Sequence, residues 1–98
     1  GKRGAPQAFP RRLYELLQEE DASVVSWIKN GEGFIINDMD TFVNTTLVKY
    51  FQHNKYTSFQ RQCNLYGFRK ITRGPDAGMY IHEHFKKGRL EDLVKVRR

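Results

Sequence analysis

Thr57-Ser58-Phe59-Gln60-Arg61-Gln62-Cys63-Asn64-Leu65-Tyr66-Gly67 runs directly into Phe68-Arg69-Lys70-Ile71-Thr72, and the change of pattern between the two decides the fold. At about 100° per residue, Phe59, Cys63 and Tyr66 share one side of a helix, with Gln62 at its edge. Gln60, Arg61 and Asn64 fall on the other side. Thr57 is read as the start of this helix, with Gln60 three residues on as its capping-box partner. Gly67 supplies a left-handed stop. Beyond it the residues read as extended. Phe68–Thr72 and Met79–His82, joined by the Gly/Pro loop Arg73–Gly78, make a hairpin.

Upstream, Pro10 suits the first position of a helix over about Pro10–Glu19, because its missing N–H costs nothing there. Phe9, Leu13, Leu16 and Leu17 form its apolar stripe. Val24–Lys29 and Phe34–Ile36 flank Asn30-Gly31, a strong turn signal, and read as a second hairpin. Asp38 or Asp40 caps a helix carrying Phe42, Val43, Leu47, Val48 and Phe51 at helical spacing. Gln52-His53-Asn54-Lys55 is a polar break. Phe85, Leu90, Leu93 and Val96 give a short closing segment. Two helices joined by a tight turn and followed by a hairpin predict an α+β fold, a winged helix-turn-helix with a three-helix core and a small antiparallel β-sheet. The expected organisation is a flexible segment over residues 1–8 and one domain over 9–98.

Composition agrees with a single domain. The chain has 98 residues, 39% hydrophobic and 13% aromatic, enough to build a core. No apolar run approaches the roughly 18 residues of a membrane span. The segment Gly1-Lys2-Arg3-Gly4-Ala5-Pro6 lacks the apolar stretch of a secretory signal, and Gly1 without a preceding Met suggests an excised fragment. A lone cysteine, Cys63, excludes an internal disulfide and points to a reducing compartment.

The net charge of +6 is unevenly spread. Lys2, Arg3, Arg11 and Arg12 make the first twelve residues basic. From Leu13 to Val48 only Lys29 opposes Glu15, Glu19, Glu20, Asp21, Glu32, Asp38 and Asp40. From Lys49 onward twelve lysines and arginines face four carboxylates. Such segregation offers a basic surface to a polyanion. The outward side of the third helix carries Arg, Asn and Gln, whose paired donors and acceptors match base edges in the major groove of duplex DNA. Lys49, Lys55, Arg69 and Lys70 flank it, placed to meet phosphates. The helix Thr57–Tyr66 is therefore the expected groove-reading element, as the second helix of the pair is in helix-turn-helix proteins.

Other chemistries fit less well. An enzyme needs a nucleophile, a base and an orienting group in one cleft, and nothing clusters that way. His53, Cys63, His82 and His84 match no common zinc-finger spacing, so neither a metal nor another cofactor is expected. Cys63 reads as a small buried apolar residue rather than a redox sensor. Trp27 and Phe34 read as core. Binding of single strands calls for exposed aromatics, for which Tyr56 and Tyr80 are the candidates. A protein–protein docking module is the alternative from another class. It would not need Arg61 and Asn64 facing outward in a basic surround. Lys95, Arg97 and Arg98 suit a linker, an import signal or further phosphate contacts.

Tyr50-Phe51, His53, Ser58-Phe59-Gln60-Arg61-Gln62-Cys63-Asn64-Leu65-Tyr66-Gly67-Phe68-Arg69-Lys70 and Phe85-Lys86-Lys87-Gly88-Arg89 strongly resemble the DNA-binding domain of the heat shock transcription factors. So do Phe9–Leu17, Trp27 and Phe42–Phe51, and the resemblance spans about residues 9–98. It implies that Arg61 reads the guanine of a GAA block, with Ser58 and Asn64 assisting near the bases. It implies that Lys49, His53, Gln62, Tyr66, Lys70 and Lys87 lie at or near the phosphate backbone. The implied partner is double-stranded DNA with inverted GAA repeats, bound in the nucleus by a homotrimeric activator of stress-response genes. Trimerisation through a coiled coil needs several heptads, and the segment after Leu90 holds barely one, so the fragment is expected to be monomeric. Three positions depart from the family pattern. Cys63 replaces a usual leucine, Gln60 replaces a usual valine, and the loop Arg73–Gly78 is short.

Overall fold

The computed structural model describes residues 5–98, so the first four residues of the segment expected to be flexible lie outside the described part. Helix α1 spans Ala8–Glu19, starting two residues earlier than its proline suggested. Pro10 still falls in the first turn, where backbone N–H groups have no intrahelical partner. The predicted stripe is buried, with Leu13 and Leu16 fully enclosed and Tyr14 added to it.

Strands β1 (Val25–Ile28) and β2 (Gly33–Ile36) pair antiparallel, Val25 opposite Ile36 and Ile28 opposite Gly33. The turn between them places Lys29, Asn30 and Gly31 at positive φ. Asparagine and glycine tolerate this region, which explains the strength of the Asn-Gly signal. The two hairpins read separately from the sequence join into one four-stranded sheet of order β1-β2-β4-β3, where β3 is Arg69–Lys70 and β4 is Tyr80–Ile81. Gly33 makes the junction possible, because a Cβ there would sit 2.5 Å from the Tyr80 carbonyl oxygen. The β3–β4 hairpin is shorter than expected. Past its two paired residues it continues through Ile71 N–H donating to the Met79 carbonyl at 2.8 Å and Gly78 N–H to the Ile71 carbonyl at 2.7 Å.

Helix α2 covers residues 39–51 in three stretches, with a π-helical turn over Phe42–Thr46 between Met39–Thr41 and Leu47–Phe51. Asp38 is its cap, accepting from the Thr41 N–H at 3.1 Å and the Thr41 hydroxyl at 2.8 Å. Those hydrogen bonds favour the carboxylate and lower its pKa. The helix ends at Gln52, which takes the left-handed conformation at φ 59°.

Helix α3 spans Tyr56–Leu65. It begins one residue before Thr57, and the expected capping box is not formed: Lys55 occupies the cap position without a side-chain bond. Thr57 already sits inside the first turn. The polar break contributes instead, through His53 Nδ1 accepting the Lys55 N–H at 3.1 Å. The stop is as read. Gly67 has φ 86°, its N–H donates to the Asn64 carbonyl and the Phe68 N–H to the Cys63 carbonyl, which is a Schellman closure. A 3₁₀ segment, Leu90–Lys95, packs on the core through Leu93, and the extended residue after it, Val96, is buried too.

The core is aromatic. Phe59 lies 5.1 Å from Phe42 and 6.0 Å from Phe9, and Phe34 stacks on Tyr80 at 5.0 Å. Phe85 touches Trp27, Phe34 and Phe68. Phe34 is thus a core residue, Trp27 is half-buried and packs against the core, and Tyr80 is only 2% exposed, contrary to its reading as a surface aromatic. Its burial comes from the β2–β4 pairing. Tyr56 is half-buried beside it, and their hydroxyls hydrogen-bond to each other.

Candidate nucleic-acid interface

Two buried side chains, Phe59 and Cys63, fix the rotation of α3 on the core. Tyr66, just past its end, stacks on Phe9 at 5.1 Å. With that side anchored, the other is presented to solvent: Thr57, Arg61, Asn64 and Leu65 are exposed, and Ser58, Gln60 and Gln62 are half-buried. Burying a phenylalanine as fully as Phe59 stabilises the packing by a few kcal/mol, roughly 3–5 as read from truncation to alanine. The guanidinium therefore projects from a rigid support.

The surroundings are cationic. From Thr41 to Pro75 the chain has no carboxylate, while Lys49, Lys55, Arg61, Arg69, Lys70 and Arg73 all fall within it. On one flank of α3, His53, Gln62 and Tyr66 line a cleft together with Arg11 and Arg12 of α1. On the other flank, Asn64 lines a shallow groove with Arg69, Lys70 and Arg73. Basic side chains thus stand on each side of the polar face, Arg11 and Arg12 being paired with Glu15 at 3.8 and 2.7 Å.

The expected contact residues separate into groups. Arg61 and Asn64 are exposed on one side of α3, with Ser58 half-buried beside them. Lys70 is held in place, its Nζ donating to the Tyr56 hydroxyl at 3.2 Å and lying 5.6 and 5.7 Å from the Tyr56 and Tyr80 ring centres. The Tyr66 ring is 7% exposed, so it offers only the edge that lines the cleft. Lys49 is paired with Glu20 at 3.1 Å. Lys87 stands apart from α3. Its backbone N–H donates to the Gly31 carbonyl at 3.0 Å, and it lines a cleft with Glu20 and Trp27. Arg11 and Arg12 were not among the expected contacts. Their signal was the basic charge of the first twelve residues, which sequence alone could not bring beside α3.

Among the described residues, no three His, Cys, Asp or Glu side chains gather as metal ligands would. His82 and His84 are 5.9 Å apart between ring centres, and burial lowers the pKa of His82. Cys63 is 1% exposed, and burial raises its thiol pKa far above the ordinary value.

Comparison with known proteins places this geometry. A family model described as HSF-type DNA-binding matches residues 9–98. "Heat shock factor protein HSF24" of Solanum peruvianum is 40% identical over 98 residues, covering 99% of this chain. "Heat shock factor protein 2" of Gallus gallus is 36% identical over 106 residues, covering 97%. The chain spans only 32% and 18% of those two proteins. Among solved structures, Chaetomium thermophilum Skn7 with SSRE DNA superposes with a TM-score of 0.87 at 32% identity, over 94% of this chain and 99% of that one. The same protein with HSE DNA gives 0.85 at 36% identity, over 94% and 100%. The winged-helix architecture, the matched residues and these relatives agree, and the chain belongs to the HSF-type DNA-binding domain family.

Proposed function

We propose that this chain is the sequence-specific duplex DNA-binding module of a heat shock factor-like transcription factor, with α3 in the major groove at GAA-type sites. One observation carries the reading: Arg61 and Asn64 stand exposed on a helix whose opposite face is locked into the core, inside a stretch free of carboxylates. Arg61 makes two parallel hydrogen bonds to guanine O6 and N7, and Ser58 and Asn64 work beside it. His53, Gln62 and the edge of Tyr66, joined by Arg11 and Arg12, follow one phosphate strand. Lys70, with Arg69 and Arg73, follows the other. Lys49 joins after leaving Glu20, and Lys87 reaches the backbone beyond the β1–β2 turn.

A single module of this size buries roughly 600–1,000 Å² on DNA. Tighter binding comes from linking several copies at adjacent sites through effective concentration. The parent protein is accordingly read as a nuclear homotrimer on inverted GAA repeats, joined by a coiled coil outside this chain.

Selection from random duplexes with the purified chain tests the central claim. Enrichment of GAA blocks is expected. Enrichment of no motif, or affinity for duplex that does not fall as salt rises, would overturn it.

A further inference from the structure

The polar side of α3 contains one residue out of character. Leu65 is 39% exposed, while the other exposed side chains of the helix are Thr57, Arg61 and Asn64. It belongs neither to the core cluster nor to the apolar side chains packed against that cluster. The remaining large exposed apolar residues, Met39, Val48 and Leu90, lie on other elements.

Leu65 follows Arg61 by four residues, so the two are neighbours along one face. Helical side chains lean toward the N-terminus, which carries the leucine methyls back toward the arginine. Four residues advance about 6 Å along the axis, one to two base-pair steps at about 3.4 Å each. With Arg61 on the guanine and α3 running along the groove toward the adenines, the orientation this inference takes, Leu65 meets the next pair or the one after. In a GAA block these are A·T pairs. The major-groove edge of A·T offers adenine N7 and N6, thymine O4 and the thymine methyl. Leucine has no donor or acceptor, so the methyl is the one group there that it can match.

We infer that Leu65 is a specificity-determining residue whose side chain packs on thymine methyl groups of the A·T pairs beside the guanine read by Arg61. This rests on the placement of α3 proposed above. The contact adds to Arg61 and Asn64 a term they do not supply, because it distinguishes thymine by its methyl rather than by its hydrogen-bonding pattern.

The test compares three duplexes with the whole chain: one with a GAA block, the same one with deoxyuridine for the thymines opposite the adenines, and a scrambled one. Losing the methyls removes about one buried CH₃ per contact, so the wild type should bind the deoxyuridine duplex about fourfold more weakly. Leu65→Ala, at an exposed position and with a better helix former, should keep its melting temperature and bind both GAA duplexes equally, at the weaker level. Leu65→Met should keep the sensitivity to the methyls. A wild type that prefers GAA to scrambled duplex yet ignores the methyls overturns this inference and leaves the DNA-binding reading standing. A Leu65→Ala chain as methyl-sensitive as the wild type overturns it too, because the effect then belongs to DNA shape or another residue. A wild type with no preference for GAA overturns both.

Discussion

The ammonium of Lys49 lies 3.1 Å from the carboxylate of Glu20, which also accepts a hydrogen bond from the Tyr50 hydroxyl at 2.9 Å. Tyr50 reaches Glu19 as well, and burial followed by these two carboxylates raises its pKa. The acidic end of α1 thus holds a cation that the proposed function assigns to a phosphate. Glu20 and the DNA backbone compete for it. Glu20→Gln keeps a partner for Tyr50 and removes the charge, so duplex binding should tighten a few-fold at low salt. The gain should shrink between about 50 and 200 mM salt as screening grows. Titrations at both concentrations check this. Unchanged affinity at low salt would remove Lys49 from the list of phosphate contacts.

Arg61→Ala and Lys70→Ala should fail differently. Losing the guanidinium should cost about 1–3 kcal/mol and relax selection at the guanine. Losing the Lys70 ammonium should weaken every duplex alike and lower the salt slope by about 0.9. Competition between GAA and scrambled duplexes separates the two. An Arg61→Ala chain that still selects the guanine as strongly as the wild type would remove the guanine readout assigned to Arg61.

The contrast between the two sides of α3 was legible because helix periodicity is local: Phe59 and Cys63 went in and Arg61 and Asn64 came out, as spacing dictates. Asp38 and Gly67 were legible for the same reason, since each acts on backbone groups a few residues away. Long-range pairing was not. Nothing near Tyr80 announces that β4 lies against β2, which buries its ring on Phe34. The Lys49–Glu20 pair crosses 29 residues, and Arg12 bonds the Tyr50 carbonyl across 38. These contacts decide which cations are free and which walls flank the helix. They follow from the packing of α1 on α2, which no short pattern encodes.

Cys63 is enclosed at 1% exposure, and its thiol stays protonated because burial disfavours the thiolate. A thiol reagent should therefore modify the folded chain only as fast as it opens, with the rate rising steeply in mild denaturant. Cys63→Ser should cost about 1–3 kcal/mol by burying a hydroxyl that lacks an assured partner. Its preference among duplexes should be unchanged. Rapid labelling in native buffer, with reversible loss of DNA binding on mild oxidation that Cys63→Ser lacks, would make the cysteine a sensor rather than packing.

Acid should weaken the fold through His82. Its ring packs on Phe68 at 5.0 Å, and its Nδ1 accepts the His84 N–H at 2.9 Å, which requires that nitrogen to be unprotonated. Burial first, then the neighbouring His84, lowers its pKa from 6.5; a backbone bond to Tyr66 and the charge of Glu83 oppose this less strongly, and Lys86 adds the smallest push downward. The unfolded chain therefore binds the proton more readily than the native one. Stability from this residue is complete above pH 6.5 and is lost as pH falls through that value toward the lower native pKa. His82→Asn offers an acceptor to the same N–H in an Asx-type turn without titrating. Denaturation midpoints measured from about pH 7.5 to 5.5 should fall more steeply for the wild type than for this variant. Parallel curves would show that His82 is protonated as easily in the fold as outside it.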